Sequence, residues 1–255
     1  MHVRLRHTEA LSERQLEQQL HGNAREQAAA ILAAARSGAV QAQLLLGQIL
    51  LDGRGIQHDP QLAFIWFGIA ARHGDAMAHN MLGRCHEHGW GCAPDPALAA
   101  SHYRAAAAQS LDWGLYNLAN LLATGRGVKQ DHIQARMHYQ QAAALGHAKS
   151  MNLLGRCYEE GVGIERNAQQ ALHWYQRSAV AGDFRGQFSY AAVLISQGQL
   201  DTARHWLEQA LQGGHLPFLR QACEQLQAAG LSELNDSLQA YRQRCRELTR
   251  ADAQH

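Results

Sequence analysis

Apolar and small residues recur along most of the chain at the three- and four-residue spacing of amphipathic α-helices. Each apolar stretch is short, and glycine or a polar residue interrupts it before the next one begins. Runs that alternate β-branched and polar residues between turns, as strands do, are nearly absent. The pattern therefore predicts an all-α protein built from short helices.

The helical pattern repeats every 36 residues. Four Gly-x-Gly turns begin at Gly53, Gly89, Gly125 and Gly161. A leucine followed by a small residue, first seen as Leu46-Gly47, precedes each turn, and a capping residue and an aromatic residue follow it. The aligned capping residues are Asp59, Asp95, Asp131 and Asn167, and the aligned aromatic residues are Phe67, Tyr103, Tyr139 and Tyr175. This register predicts two antiparallel helices per repeat, with the apolar face of each pair covered by the next repeat.

Each aligned column has a physical reason. Gly53 stands where the first helix must end, because glycine adopts the left-handed conformation without a Cβ penalty. Asp59 can accept hydrogen bonds from the free N–H groups that open the second helix. Gly47 lies inside the first helix, where glycine costs about 0.5–1 kcal/mol relative to alanine. We expect that close approach of the second helix offsets this cost.

The repeats also predict how the chain is divided. Residues 1–37 should form N-terminal capping helices, including one over residues 11–20, and residues 38–181 form the four repeats. A shorter repeat follows over residues 182–213, and residues 214–255 form C-terminal capping helices and a polar tail. We expect the two C-terminal helices at Pro217–Ala228 and Leu231–Leu248, and a single continuous array without a linker.

Composition narrows the possible functions. The 255 residues carry 23 Lys plus Arg against 22 Asp plus Glu, a net charge of +1, which argues against nucleic-acid binding. No apolar run of about 18 residues predicts a membrane span. The first residues lack the apolar stretch of a signal peptide, and the five cysteines are an odd number. We therefore expect reduced thiols and a cytoplasmic location.

The aligned pattern, A-x3-L-G-x5-G-x-G-V-x-x-D-x3-A-x2-W-[FY]-x2-A-A-x2-G, resembles the Sel1-like repeat, a 36-residue relative of the tetratricopeptide repeat. The resemblance covers residues 38–214, and the fifth unit is similar to a plain tetratricopeptide unit. His86, His102 and His138 depart from the pattern at its Tyr and Trp positions. The resemblance implies a right-handed α-solenoid that acts as a non-catalytic scaffold or adaptor for a protein or peptide partner. It also implies a place in bacterial signalling, envelope or secretion assemblies.

In such repeats the first helices line a concave groove, and we carry this geometry over by counting from the leucine-glycine pair. The expected groove residues are Asn80, Arg84, Trp113, Tyr116, Asn120, Asn152, Arg156, Arg185 and Phe188. Asn amides suit an extended peptide backbone, Arg binds carboxylates, and large aromatic residues anchor interfaces. Acidic residues alternate with the arginines, which argues against a purely acidic or phosphorylated ligand. The alternative is that the Asn and Arg residues are ordinary solvated surface and that the aromatic residues pack on a neighbouring helix.

The segment from Cys85 to Cys92 reads Cys-His-Glu-His-Gly-Trp-Gly-Cys and contains residue types that bind zinc. The repeat register places Cys85 at a small apolar position and His86 on the apolar stripe. Helical periodicity would also point the side chains in different directions. A core cysteine and a hydrogen-bonded histidine are therefore the favoured interpretation, with a metal site as the alternative.

Catalytic motifs are absent from the sequence. It contains no S-x-x-K, G-x-S-x-G or H-E-x-x-H, and the Gly-x-Gly turns lack the ending of a phosphate-binding loop. We predict no enzymatic activity and no cofactor, with a hydrolase-like protein as the alternative. Self-association through the helix over residues 231–248 is a further alternative.

Overall fold

The computed structural model describes residues 23–252, and within them all regular secondary structure is helical. Numbered in chain order, the α-helices of these residues are α1 Ala24–Arg36, α2 Val40–Asp52, α3 Pro60–Arg72, α4 Ala76–His88, α5 Pro96–Ala108, α6 Asp112–Thr124, α7 His132–Ala144, α8 Ala148–Glu160, α9 Ala168–Val180, α10 Phe184–Ser196, α11 Leu200–Gly213, α12 Leu216–Ala229 and α13 Asn235–Asp252. The all-α prediction is confirmed. The helix expected over residues 11–20 lies outside the described residues.

The second helix of each repeat begins at the predicted capping residue. The Asp59 carboxylate accepts a hydrogen bond from the N–H of Leu62 at 2.9 Å, at the start of α3. Equivalent caps open α5, α7 and α9, from Asp95, Asp131 and Asn167. Asn23 caps α1 in the same way, and Glu26 completes a capping box there. Each cap contributes about 1 kcal/mol to helix stability.

Two glycines follow the first helix of each of the four repeats, and each glycine is needed for a different reason. The first glycine of each turn takes the left-handed conformation, with φ of 75° at Gly89, and its N–H bonds to the carbonyl of Cys85. The second glycine also has positive φ, and it lies against the backbone of the preceding repeat. A Cβ at Gly91 would collide with the carbonyl of Pro60, and one at Gly163 would collide with that of His132. The second glycine thus lets successive repeats stack, a role that we did not predict.

A glycine inside the first helix makes room for an aromatic ring of the second helix. A Cβ added at Gly83 would lie 2.5 Å from two ring carbons of Tyr103, and one at Gly155 would lie 2.6 Å from a ring carbon of Tyr175. Both rings are buried. The predicted close approach of the two helices is therefore confirmed, and packing of the ring offsets the helix-propensity cost of the glycine.

Contacts divide the chain between residues 130 and 131 into two compact units. The division falls within the third repeat, between α6 and α7, and the single continuous array stays a prediction. In the first unit, helices of consecutive repeats share a core that includes Leu46 and Phe67. In the second unit, the C-terminal helices share a core that includes Phe188 and Tyr241.

The C-terminal helices differ from the prediction at their ends. Helix α12 extends one residue beyond the expected range on each side and ends at Ala229, with Gly230 as its C-cap at a φ of 63°. The helix expected to start at Leu231 does not, because Leu231 is extended and a short 3₁₀ turn, Ser232–Leu234, comes next. Leu234 is buried, so the 3₁₀ turn is anchored in the core and α13 begins only after it.

Candidate functional site

Four of the predicted groove residues keep exposed surface in the first unit. We call them the aromatic face, and they are Arg84, Trp113, Tyr116 and Asn120. The last three lie on one side of α6, because they are three and four residues apart. Trp113 is 39% exposed, and its ring meets that of Tyr116 edge-to-face, with 6.0 Å between the centroids and 88° between the planes. Rings packed in this way hold each other in place, and Trp and Tyr dominate binding energy at many interfaces.

Arg84 is held beside the turn that follows its own helix. Its guanidinium carbon lies 4.8 Å from the centroid of the Trp90 ring, and its Nη1 lies 3.7 Å from the sulfur of Met81. Cation–π contacts of this kind contribute about 0.5–1 kcal/mol at exposed sites. The ring fixes the position of the guanidinium, which remains partly exposed. Trp90 is the x residue of a Gly-x-Gly turn, so the repeat pattern gave no indication of this contact.

Asn80, also predicted to face the groove, is buried between helices. Its Oδ1 accepts a hydrogen bond from Nδ2 of Asn117 at 2.9 Å, which joins the first helices of two successive repeats. Only 3% of Asn80 is exposed, so we leave it out of the aromatic face. Asn117 was not predicted, because no other repeat has an amide at its position: the equivalent residues are Leu45, Met81, Leu153 and Ser189.

Three predicted residues of the second unit form what we call the arginine face: Asn152, Arg156 and Arg185. Asn152 and Arg156 lie one helical turn apart on α8. The Oδ1 of Asn152 is buried and accepts no hydrogen bond from the described residues. The Arg156 side chain is 60% exposed, and its salt bridge to Glu160 is long, at 3.9 Å. A buried hydrogen-bond acceptor thus lies one turn from an exposed cation.

Arg185 lies at the start of α10 and is exposed. Its guanidinium carbon stacks 4.5 Å from the centroid of the Phe184 ring, and Nη2 lies 2.8 Å from Nε2 of His215. These two contacts restrict the side chain and point it toward the loop before α12. The remaining N–H groups of a guanidinium suit a carboxylate or a backbone carbonyl.

Phe188 is not an exposed groove residue, because it packs into the C-terminal core. It is 8% exposed, and its ring meets that of Phe218 edge-to-face at 5.7 Å. Phe188 also forms part of the wall of an apolar cavity of about 130 Å³ between α10, α11 and α12. The other lining residues are Ala192, Ile195, Leu207, Gln225, Leu226 and Ala229. Because an apolar cavity of about 150 Å³ takes up benzene, this space suits one apolar side chain.

Acidic residues next to the first helices are used inside each unit. Glu87 accepts a hydrogen bond from the Tyr103 hydroxyl at 2.7 Å and pairs with Arg126 at 3.1 Å. Glu159 accepts the equivalent bond from Tyr175 at 2.5 Å. Burial and the neighbouring Glu87 raise the pKa of Tyr103 above its usual value, so its hydroxyl stays protonated and donates. Glu87 and Glu159 are therefore held by buried tyrosines, and the acidic residue that pairs with Arg156 is Glu160.

The Cys85 to Cys92 segment packs into the first unit. Cys85 is fully buried, and burial raises the pKa of its thiol to about 12. The Nδ1 of His86 lies 3.6 Å from the Cys92 sulfur, and its ring stacks on that of His102 at 5.5 Å. Over residues 23–252, no group of three or more His, Cys, Asp or Glu side chains is arranged to hold a metal ion.

None of the helices in the described part of the chain is both long and apolar enough to cross a membrane.

Helix α13 turns Leu238 and Tyr241 toward the C-terminal core and carries mostly polar residues elsewhere. Self-association through this helix stays a prediction.

Comparison with known proteins identifies the repeat. The Sel1 repeat model matches residues 40–75, 76–111, 114–147, 148–183 and 195–215. These ranges include the four predicted repeats and the second half of the shorter one. No curated protein sequence matches the chain.

Solved structures share the fold. The chain is similar to c5321, a protective antigen of uropathogenic Escherichia coli with an SLR fold, at 27% identity and a TM-score of 0.72. This match covers 94% of the chain but 54% of c5321, so the chain spans about half the length of that protein. A Sel1 repeat protein from Oxalobacter formigenes matches at 24% identity and a TM-score of 0.77, over 91% of this chain and 99% of that one. These likenesses confirm the predicted α-solenoid fold of Sel1-like repeats.

Proposed function

The chain belongs to the Sel1 repeat family, whose members are generally protein-interaction scaffolds, and we propose that it is a non-catalytic adaptor that binds an extended segment of a partner protein. Each unit offers its own candidate contact surface, the aromatic face in the first unit and the arginine face in the second, and each surface is proposed by itself. The similar structures come from bacteria, which supports a role in a bacterial signalling or envelope assembly. The five free thiols support a reducing, cytoplasmic location.

The observation that carries this proposal is the Trp113–Tyr116 pair on one side of α6. The two rings combine a large apolar area with hydrogen-bonding groups at their edges, and each holds the other in a defined orientation. Asn120 lies one turn further on and can pair with a peptide backbone, which presents one donor and one acceptor per residue. Together they match the composition of interface hot spots, where truncation of Trp or Tyr costs about 2 kcal/mol or more.

The arginine face supplies complementary chemistry. The Oδ1 of Asn152 is buried without a hydrogen bond, which costs about 1–3 kcal/mol, so a backbone N–H of the partner would stabilise this oxygen once the side chains that cover it move aside. Arg156, one turn away, suits a carboxylate. The cavity beside Phe188 suits an apolar side chain. We therefore expect a segment that carries both acidic and large apolar residues.

The test is to select peptides from a random-sequence display library on the full chain and to measure their affinities by fluorescence anisotropy. We compare the wild type with the Trp113→Ala/Tyr116→Ala variant and with the Asn152→Ala/Arg156→Ala variant. Each selected peptide should lose affinity roughly 30-fold or more in one of the two variants, the equivalent of about 2 kcal/mol. Acidic peptides should depend on the second variant.

Ile65→Ala is the matched control, since Ile65 is an exposed apolar residue on the second helix of its repeat. It should leave all affinities unchanged, and circular dichroism should show the same helix content in every variant. Peptides that bind both double variants as tightly as the wild type would show that the two faces are assigned wrongly. A selection that yields no binder would count against the scaffold role itself.

A further inference from the structure

Two cysteines outside both proposed faces meet across the C-terminal helix pair. Cys223 lies on α12 and Cys245 on α13, and Cys245 is close enough to raise the pKa of the Cys223 thiol. Both pack against the same apolar core. Both are also partly exposed, so small reagents reach them. Both residues lie after the last repeat, so no repeat position indicated that they pair.

Contacts on either side fix the register of the two helices around this pair. One turn before Cys223, Nη2 of Arg220 donates to the Thr249 hydroxyl at 3.5 Å. One turn after it, Gln227 accepts a hydrogen bond from Nη2 of Arg242 at 2.8 Å. The two helices are therefore linked above and below the cysteines, and neither helix must slide for the sulfurs to meet. A disulfide needs this facing arrangement, because its geometry tolerates little displacement of the backbone.

We propose that Cys223 and Cys245 are a redox modification site, which a hydroperoxide oxidises to an intramolecular disulfide that links α12 to α13. One thiolate attacks a peroxide oxygen, so that an S–O bond forms, the O–O bond breaks and water or an alcohol leaves. The second thiolate attacks the sulfenic sulfur, which forms the S–S bond and releases the oxygen as water. The two thiols lose two electrons and two protons in total, and the hydroperoxide accepts them.

The surroundings of the pair set the speed of this reaction. Burial raises the pKa of Cys223 to about 11, and Cys245 adds to this effect, while the Arg242 guanidinium opposes it. Because the thiolate is the reacting species, oxidation should be slow at neutral pH and faster in mildly alkaline solution. Cys85 and Cys157 are buried, and burial raises the pKa of both thiols, so they should react less than the exposed pair.

The experiment treats the reduced full-length chain with hydrogen peroxide, blocks the remaining thiols by alkylation and analyses tryptic peptides by mass spectrometry. Trypsin places the two cysteines on separate peptides, because it cleaves after Arg242 and Arg244. We expect a linked species that is lighter by two hydrogen atoms and that returns to its parts with dithiothreitol. It should exceed any other cysteine pairing by roughly tenfold, as expected for thiols held close together by the contacts on either side of them.

Two sets of variants make the result decisive. Cys223→Ser and Cys245→Ser should each abolish the linked species, whereas a variant with Cys85, Cys92 and Cys157 replaced by alanine should retain it. Hydrogen exchange in α13 should slow on oxidation of the wild type and stay unchanged in the two serine variants. Links to other cysteines, disulfides between molecules, or sulfinic acids without any linked species would each overturn the proposal.

Discussion

Substitution of Gly91 by alanine tests whether the second turn glycine controls the stacking of repeats. Gly91 has φ of 72°, and a Cβ there would collide with the carbonyl of Pro60 and lie 2.8 Å from the backbone nitrogen of Gln61. These atoms belong to the first turn of α3, in the preceding repeat. They are backbone atoms, so no side-chain rotation relieves the collision, and the turn must move away from α3.

The expected cost has two parts. A non-glycine residue in the left-handed region costs about 1–2 kcal/mol. Forcing apart a packed contact costs about 1–3 kcal/mol more. Gly91→Ala should therefore lower the free energy of unfolding by about 2–5 kcal/mol.

Two other glycines of the same unit separate these parts. Gly74 has φ of 81° and no atom within 4 Å of an added Cβ, so Gly74→Ala carries only the conformational part, about 1–2 kcal/mol. Gly68 lies inside α3 with space for a Cβ, so Gly68→Ala should stabilise the protein by about 0.5–1 kcal/mol. Urea denaturation followed by circular dichroism gives all three values. Hydrogen exchange at the start of α3 should accelerate only in Gly91→Ala.

The comparison of Gly91 with Gly74 decides the matter. If the two alanine variants lose the same stability within about 0.5 kcal/mol, the collision with Pro60 contributes nothing and the assigned role of Gly91 is wrong. Unchanged exchange at the start of α3 in Gly91→Ala would lead to the same conclusion.

Two further predictions concern the interior of the second repeat. Tyr103→Phe removes the hydroxyl that donates to Glu87 at 2.7 Å, and it should cost about 1.5–3 kcal/mol in urea denaturation; a loss near zero would contradict this. Burial of His102, with smaller effects of His79 and His86, lowers the pKa of its imidazole from 6.5. Just below pH 6.5, the unfolded chain therefore binds a proton that the folded chain does not. The free energy of unfolding should therefore fall as the pH drops below about 6.5. In His102→Gln, this fall should be smaller between about pH 7 and pH 5.5. An unchanged pH dependence in the variant would exclude His102 as its source.

Most of the fold could be predicted from the sequence, because the residue types that recur in every repeat are those that the backbone needs at a helix start, a helix end or a close contact. Asp59 marks a helix start, Gly53 marks a helix end, and Gly83 marks a close contact with Tyr103, and each requirement recurs wherever the backbone does. The role of Gly91 was missed because its reason is a contact with another repeat, which the pattern of one repeat does not contain. The end of α12 and the 3₁₀ turn before α13 lie beyond the repeats, so no second copy defined them.

The candidate site was less predictable because single side chains decide it. Counting from the leucine-glycine pair placed Asn80 in the groove, but Asn117 on the first helix of the next repeat covers it. No other repeat has an amide at the position of Asn117. Phe188 was placed in the groove as well, yet it packs against Phe218 on α12, outside the repeat pattern. Trp113 lies in the first turn of its helix and is 39% exposed. The exposure of a groove side chain thus depends on residues of neighbouring helices, which its position within the repeat does not reveal.

Some contacts between the two helices of a repeat can still be found from the sequence, if the residues at two positions of each repeat are compared together. The second and fourth repeats have Tyr103 with Glu87 and Tyr175 with Glu159, and each pair forms a hydrogen bond between the two helices of its repeat. The first repeat has Phe67 with Leu51 at the same positions, and both pack into an apolar core. A buried hydroxyl needs an acceptor, and a carboxylate beside a ring without a hydroxyl would lose its donor, which accounts for the residues found in these three repeats. The third repeat departs from this pairing, because Ala123 stands at the position that pairs with the buried Tyr139. The hydrogen bonds to Tyr103 and Tyr175 identify Glu87 and Glu159 as structural residues, which leaves Arg156 with only the long 3.9 Å salt bridge to Glu160 and thus open to the carboxylate of a partner.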